Sequence, residues 1–433
     1  MSTRFAYKAG AASIRITPDE PLWLAGYAAR TEPAKGKISD LFVSALALQD
    51  SSGERFVMAS ADLIAIPTIL ADPIAQRVQR ETGLPRHRLL LAATHTHYGP
   101  EFRPDKQLFF NIPAEYAAHF PRVGEMLIDA ISRAIVDSLQ RLEPVRLVAR
   151  MTSASFAHNR RRSGVVDGQA STEDVFDHDV PVLDVIDSSG RHKAIVFGYA
   201  CHNTTLPWQD CRYCADWAGY AREHLQAAHS GCTVLFIAGA GADQNPDPRG
   251  SLELSQQYGG EIADAVSESL EREGQEISGF IRVAREDVPL ALAPVNRAML
   301  EAMLSSDDNP KRVKARFLLD QLDRGEPLIT SYPAPVQVAR LGDELLMVAL
   351  SGEPVVDWAH KLKRELAGRS ALIWIAGYCN DMFGYVPTRR IQREGGYEGG
   401  RANLWSWIPA PFADNVEDLV SAAIGRLVEA VGT

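Results

Sequence analysis

No run in this chain approaches the ~20 apolar positions that a membrane-crossing helix needs. The opening MSTRFAYKAGAASIRITPD holds no apolar stretch of signal-peptide length. The expectation is a cytoplasmic protein with no stable membrane association. Sustained basic runs are also missing. Formal net charge is -10, which disfavours nucleic acid as a partner. Cysteine is scarce and odd in number: Cys201, Cys211, Cys214, Cys232 and Cys379 in 433 residues argue against a disulfide scaffold. Cys211 and Cys214 form a lone C-x-x-C. A structural zinc site needs two more ligands, and Cys201 is only one addition, so buried or semi-exposed free thiols are expected. There is no internal repeat and no low-complexity linker to mark a boundary.

What is present is alternation. A 46% hydrophobic content supports a large core. ERFVMASAD (54–62) reads as a strand, IPTILADPIAQRVQRET as a helix and RLLLAATHTH as a strand. A helical stretch is expected over 115–142, broken or kinked at Pro121. VRLVAR, VPVLDVID, AIVFGYACHN and TVLFIAGAGAD read as strands, with helices over 216–229 and in SLELSQQYGGEIADAVSESLERE. Beyond 277 the pattern predicts extended chain in FIRVAREDVPLAL, then helices over 290–306 and 309–324. A hairpin turning at Gly342-Asp343, a helix over 355–366, the strand ALIWIAGYCND and a closing helix over 415–431 complete it. This order predicts a layered α/β core.

Polar residues gather at strand ends. Asp62 ends one strand; His95 and His97 of THTHYGP end the next, and i and i+2 share a face in extended chain. Others end in Cys201-His202-Asn203, in Asp243-Gln244-Asn245, in Glu353, and in Asn380-Asp381 with Tyr385 just beyond. The crevice outside the carboxyl ends of strands is the usual ligand site of an α/β sheet. Two histidines, a glutamate and an open position form a familiar catalytic zinc arrangement. Plainer roles also fit. A strand-end histidine is often only a hydrogen-bonding group. Asp62 could cap the following helix, and Glu353 could cap the helix after Pro354.

The pieces GAASIRITPD, LAGYA, the strand-end Asp62, THTHYGP, HNRRR (158–162), CHNTT, GADQNPD, LSGEP, NDMFGYVPT and GGYEGG resemble, in order and spacing, the catalytic domain of the neutral, or alkaline non-lysosomal, ceramidases. They cover nearly all of residues 10–400. The resemblance implies a mixed β-sheet core flanked by helices. It also implies a zinc ion held by His95, His202, Glu353 and Tyr385. Residues 1–276 would be the core with the histidine ligands. Residues 277–433 would be a second lobe of the same catalytic domain, supplying Glu353 and Tyr385. His97 would stand beside the metal to shuttle a proton, Arg160 would face the reacting group, and Tyr397 would hydrogen-bond the scissile carbonyl. Asp243 matches the aspartate of the family's G-D-x-S-P-N segment.

Two departures shape the functional expectation. Asn245 stands where that segment has serine, so no serine acylation is available there and Asn245 is left to orient water or substrate. The sequence also ends where ceramidases continue into an immunoglobulin-like domain, which points away from ceramide itself. The reading is a zinc-dependent hydrolase of an amide bond in a soluble small N-acyl substrate. A carboxylic-ester hydrolase on the same site is the alternative, as is an inactive metal-binding or interaction protein. A homo-oligomer is not excluded. NLWSWIPAPFAD (403–414) could line a pocket or simply pack a buried loop, and the arginines of HNRRR and TRRIQR could attract a substrate carboxylate or stand in solvated turns.

Overall fold

The computed structural model describes residues 6–161, 165–166, 169–170 and 175–432, so Met1–Phe5 and Arg162 of HNRRR lie outside the described residues. A mixed, largely antiparallel β-sheet core is flanked by helices, as the layered α/β pattern predicts. The main sheet runs Thr233–Ala238, His192–Tyr199, Asp179–Asp187, Glu143–Ser153, Tyr7–Arg15, Phe42–Asp50, Arg55–Ala61 and Leu89–Ala93. Gln275–Glu276 pairs beside Glu143–Ser153. A second sheet holds Ile281–Ala291, Ser331–Leu341, Leu345–Leu350 and Leu372–Ala376.

Within these two sheets three pairs are parallel: Arg55–Ala61 with Leu89–Ala93, His192–Tyr199 with Thr233–Ala238, and Leu345–Leu350 with Leu372–Ala376. Parallel neighbours need a crossover. The helices Thr68–Thr82, Asp216–Ala228 and Asp357–Glu365 supply one each. Both faces of such strands are covered, which is why LLLAA and LLMVAL are buried at every position. The two carboxyl ends of a parallel pair point the same way, so each unit sends two loops to one end of its sheet.

Leu89–Ala93 and His192–Tyr199 are six strand spacings apart in the main sheet, about 29 Å if it lay flat. It does not lie flat. The Ser60 hydroxyl donates to the Phe236 carbonyl, joining strands near opposite edges. Leu90 and Ala92 from one end share a core with Leu235 and Ile237 from the other, and Met347 and Trp374 of the second sheet join it. The three parallel units therefore meet.

The helical stretch expected over 115–142 is broken, as expected, into Ala114–Ala117 and Phe120–Gln140; Pro121 sits in the first turn of the second helix, where a missing N–H costs little. Two local expectations change. The helix expected over 290–306 is only Arg297–Leu304. The strand Ile281–Ala291 stays in register with Ser331–Leu341 to its end, and Asn296 then caps the helix by accepting from the Met299 N–H. Asp62 caps no helix: it accepts from the Phe42 N–H at 2.8 Å and from Arg222 Nη1 at 2.6 Å, a buried ion pair. All five cysteines are buried and free, as expected. Burial pushes the Cys214 thiol up to about 12.

Candidate metal centre and chamber

The chain turns as soon as Leu89–Ala93 ends. His95 has φ 61°, in the left-handed region that non-glycine residues rarely occupy. His95 and His97 therefore do not converge as neighbours on one extended face, which was the expected reason. The turn itself brings them together, with ring centroids 4.9 Å apart and Nε2 atoms 3.3 Å apart. Thr96 makes a bridge to Asn203, and Asn203 Nδ2 donates to the Thr94 carbonyl. That clasp sets CHN beside THTH, and the His202 ring lies 4.9 Å from His95. Tyr27 packs on His97 at 4.7 Å and Tyr378 on His95 at 4.4 Å.

Glu353 and Tyr385 arrive as direct partners in a short parallel pair, Glu353–Pro354 with Tyr385–Val386. The Glu353 carboxylate lies 3.5 Å from His95 Nε2 and 3.7 Å from His202 Nε2. It faces the imidazoles, and the helix that it could have capped begins only at Asp357. Arg160 Nη2 donates to the Tyr385 hydroxyl at 3.0 Å, and its Nε donates to Glu398 at 2.7 Å. Tyr397 completes the group, its ring 5.3 Å from that of Tyr385.

These residues fit a metal ion. His95 Nδ1 bonds the Ile64 carbonyl at 2.7 Å, and His202 Nδ1 bonds those of Gly241 at 2.8 Å and Gln244 at 3.1 Å. Carbonyls only accept, so both Nδ1 atoms carry a proton, and in the neutral form of each ring Nε2 is left with a lone pair. Those lone pairs and a carboxylate oxygen face one another with no hydrogen between them. His202 Nε2 and Glu353 Oε2 have no hydrogen-bond partner among the described residues. A cation removes that repulsion, and the separations suit ligands each ~2.0–2.2 Å from one ion. Burial lowers His95 to about 4 and His97 well below its ordinary value, so the imidazoles are neutral. Burial alone would raise Glu353, but His95 and His202 outweigh it and hold the carboxyl at about 2. His95, His97 and His202 together form the buried cluster able to chelate a metal. Of the three, only His97 has an Nδ1 without a hydrogen-bond partner among the described residues.

The other expected site residues stand around this centre. Asp243 is fully buried; its carboxylate accepts from the Val356 N–H at 2.8 Å and from Asn159 Nδ2 at 3.0 Å, and its carbonyl accepts from the Arg160 N–H at 2.8 Å. Asn245 pairs with His158 in the short ladder Gln244–Pro246 with Ala157–Asn159, and its buried Oδ1 has no partner among the described residues. Asn380 is used up in bonds to Leu91, Arg86 and Gln337.

A chamber of about 390 Å³ opens onto His95, His97, Glu353, Tyr385 and Tyr397. Both readings of NLWSWIPAPFAD hold in part: Trp405 and Trp407 line the chamber, whereas Ile408 is buried in the core. Sequence reasoning missed Glu398, which neutralises both Arg160 and Arg161, although it adjoins Tyr397 in YEGG. It also missed Tyr378 and the chamber residues Arg103 and Lys106, for which spacing offered no signal. Arg389 and Arg390 of TRRIQR pair with Asp418 and Asp357.

An α/β fold with a buried, metal-chelating histidine cluster at the ends of its parallel strands is consistent with a metal-dependent hydrolase. Residues 7–249 match the model of the neutral/alkaline non-lysosomal ceramidase N-terminal region, and the chain belongs to that family. Two solved structures share the fold. A ceramidase complexed with C2 is 19% identical with a TM-score of 0.74, over 98% of this chain and 76% of that one. Neutral ceramidase from Pseudomonas aeruginosa is 20% identical with a TM-score of 0.73, over 98% of this chain and 75% of that one. No curated protein sequence matches. Among the described residues no helix is long and apolar enough to cross a membrane.

Proposed function

We propose that the protein is a zinc-dependent hydrolase of N-acyl amides, with zinc held by His95, His202, Glu353 and Tyr385. The observation that carries this reading is the meeting of two Nε2 lone pairs with the Glu353 carboxylate, none with a proton to share. Zinc in such a site acidifies water toward pH 7 and polarises a carbonyl. Residues 1–276 and 277–433 act as one catalytic domain, since the first brings the histidines and the second Glu353 and Tyr385.

Water adds its oxygen to the carbonyl carbon, the C–N bond breaks, and the departing amine takes a proton. His97 suits the proton transfer: no carbonyl among the described residues fixes its tautomer, whereas His95 and His202 are fixed as ligands usually are. Tyr397, which lines the chamber, and Arg160, whose Nη2 reaches the Tyr385 hydroxyl, would donate to the oxygen that gains charge. The phenol of Tyr385 is pushed up by burial and by Glu353, so it needs both a metal and the Arg160 hydrogen bond to bind as an anion. Asp243 is a positioning residue that holds the Arg160 backbone. Asn245 replaces a nucleophile with an amide, so attack is by water and no acyl-enzyme builds up.

Elemental analysis of protein purified without added metal is expected to find about one zinc per chain. Release of amine from N-acyl amides of graded chain length should stop with a chelator and return with zinc. Less than a tenth of an equivalent, with no turnover on adding zinc, would overturn the proposal.

A further inference from the structure

One wall of the chamber holds a cation that the chemistry above does not use. Arg103 gives its Nε and Nη2 to Glu101, at 2.8 and 2.6 Å. Its Nη1 has no partner among the described residues, and the residue lines the chamber. Burial works against its charge, but Glu101 more than restores it. Glu101 itself is fully buried, and one of its oxygens already accepts from the N–H groups of Phe102 and Arg103 as well. The neighbouring cation is occupied: Lys106 donates to the Trp405 carbonyl at 2.8 Å and pairs with Asp105 at 2.9 Å.

The acids on the wall are occupied too. Asp381 accepts from the N–H groups of Thr68 and Met382 and from the Tyr332 hydroxyl. What remains unused on this wall is thus a charged donor. Arg103 lines the same chamber as His95 and Glu353. Phe383, Trp405 and Trp407 form the apolar side of the same chamber.

We infer that the substrate is an amide whose amine half carries a carboxylate: Arg103 Nη1 receives the carboxylate, and the aromatic side takes the acyl chain. This rests on the hydrolase reading, and it fixes the substrate class that the reading leaves open. A guanidinium is suited to the task because it stays charged and directs its donors in a plane.

The test compares N-octanoylglycine with N-octanoylglycinamide, which differ only in the carboxylate. Their sulfonamide analogues, N-(octylsulfonyl)glycine and its amide, resist hydrolysis and report binding by calorimetry. Wild-type protein is expected to favour the carboxylate at least tenfold in kcat/KM and in affinity. The double substitution Glu101→Gln/Arg103→Met removes both members of the buried pair, so neither charge is stranded. It should bring the affinity ratio to about one while zinc content stays unchanged. Arg103→Lys, which keeps the charge and loses the fork, should fall between and serves if the double variant does not fold. A wild-type ratio near one overturns the inference, as does an unchanged ratio in both variants. Preferential carboxylate binding through Arg103 without any turnover would instead keep Arg103 as a carboxylate site and sink the hydrolase reading together with the substrate class drawn from it.

Discussion

Gly26 is the position where one methyl group reaches furthest into the site. It has φ +95°, and a Cβ there would stand 2.6 Å from the His97 side chain. Gly26→Ala should displace His97, keep about one zinc, and lower kcat on the best amide by at least a hundredfold. Zinc analysis beside kinetics checks this, and loss of the metal would make His97 a ligand. Tyr397→Phe should also keep zinc, and it should lose mainly kcat by roughly 10²–10³-fold, the usual effect of removing a donor to a developing oxyanion. The centre has a pH signature as well. His95 titrates at about 4 in the fold and near 6.5 unfolded, so the unfolded chain takes the proton first as pH falls. Metal-free protein should lose up to roughly 3 kcal/mol from this group between pH 6.5 and 4. Glu353, held at about 2, adds loss of the same sign below pH 4.5. Denaturant unfolding at pH 7, 5.5 and 4 measures it; a flat profile would contradict the assignment.

At the scale of elements, the segment 401–412 depends on a helix far from it in sequence. Lys314, on the helix Asn309–Asp323, is buried with no acidic side chain among the described residues bonded to it. Its ammonium donates to the carbonyls of Asn403 at 2.8 Å, Ser406 at 2.6 Å and Ile408. Lys106 holds the carbonyl of Trp405 between them. The loop that presents Trp405 and Trp407 is thus pinned by donors instead of by a strand ladder. Lys314→Met strands three carbonyls and should cost about 1–3 kcal/mol. Trp405 and Trp407 should then lose their fixed place, so KM for long-acyl amides rises more than kcat falls. Chemical denaturation and a chain-length series of kinetics check both parts, and an unchanged chain-length profile would show that the loop does not shape the acyl site.

Over the whole molecule, a metal held as proposed would tie together three parallel strand units that are remote in sequence. An ion that binds only the folded state stabilises by RT ln(1 + [L]/Kd), about 4 kcal/mol at a thousandfold excess over Kd. Removing zinc should shift the denaturant midpoint by that order. Hydrogen exchange should quicken first in the loops after Ala93, Tyr199 and Leu350, because metal ligation closes them while the strands behind them are held by their own ladders. Uniform exchange on chelation, or no shift in the midpoint, would argue against a metal at this centre.

The sequence alone determined the alternation of apolar strands and amphipathic helices, and with it the layered α/β class. Burial on both faces makes a parallel strand an apolar run whatever its neighbours are. It also placed His95, His97, His202 and Glu353 at strand ends, where a polar residue after an apolar run stands out. What it could not decide is partnership. Asp62, Asn380 and Asp381 look the same as the others in sequence, yet Arg222, Gln337 and Tyr332 claim them. Nor does any spacing carry the curl of the main sheet, which rests on contacts such as Ser60 with Phe236 between chain segments far apart. The distance between His95 and His202 belongs to that curl. It is set by which faces of the sheet bury against each other, and only the tertiary structure contains that choice.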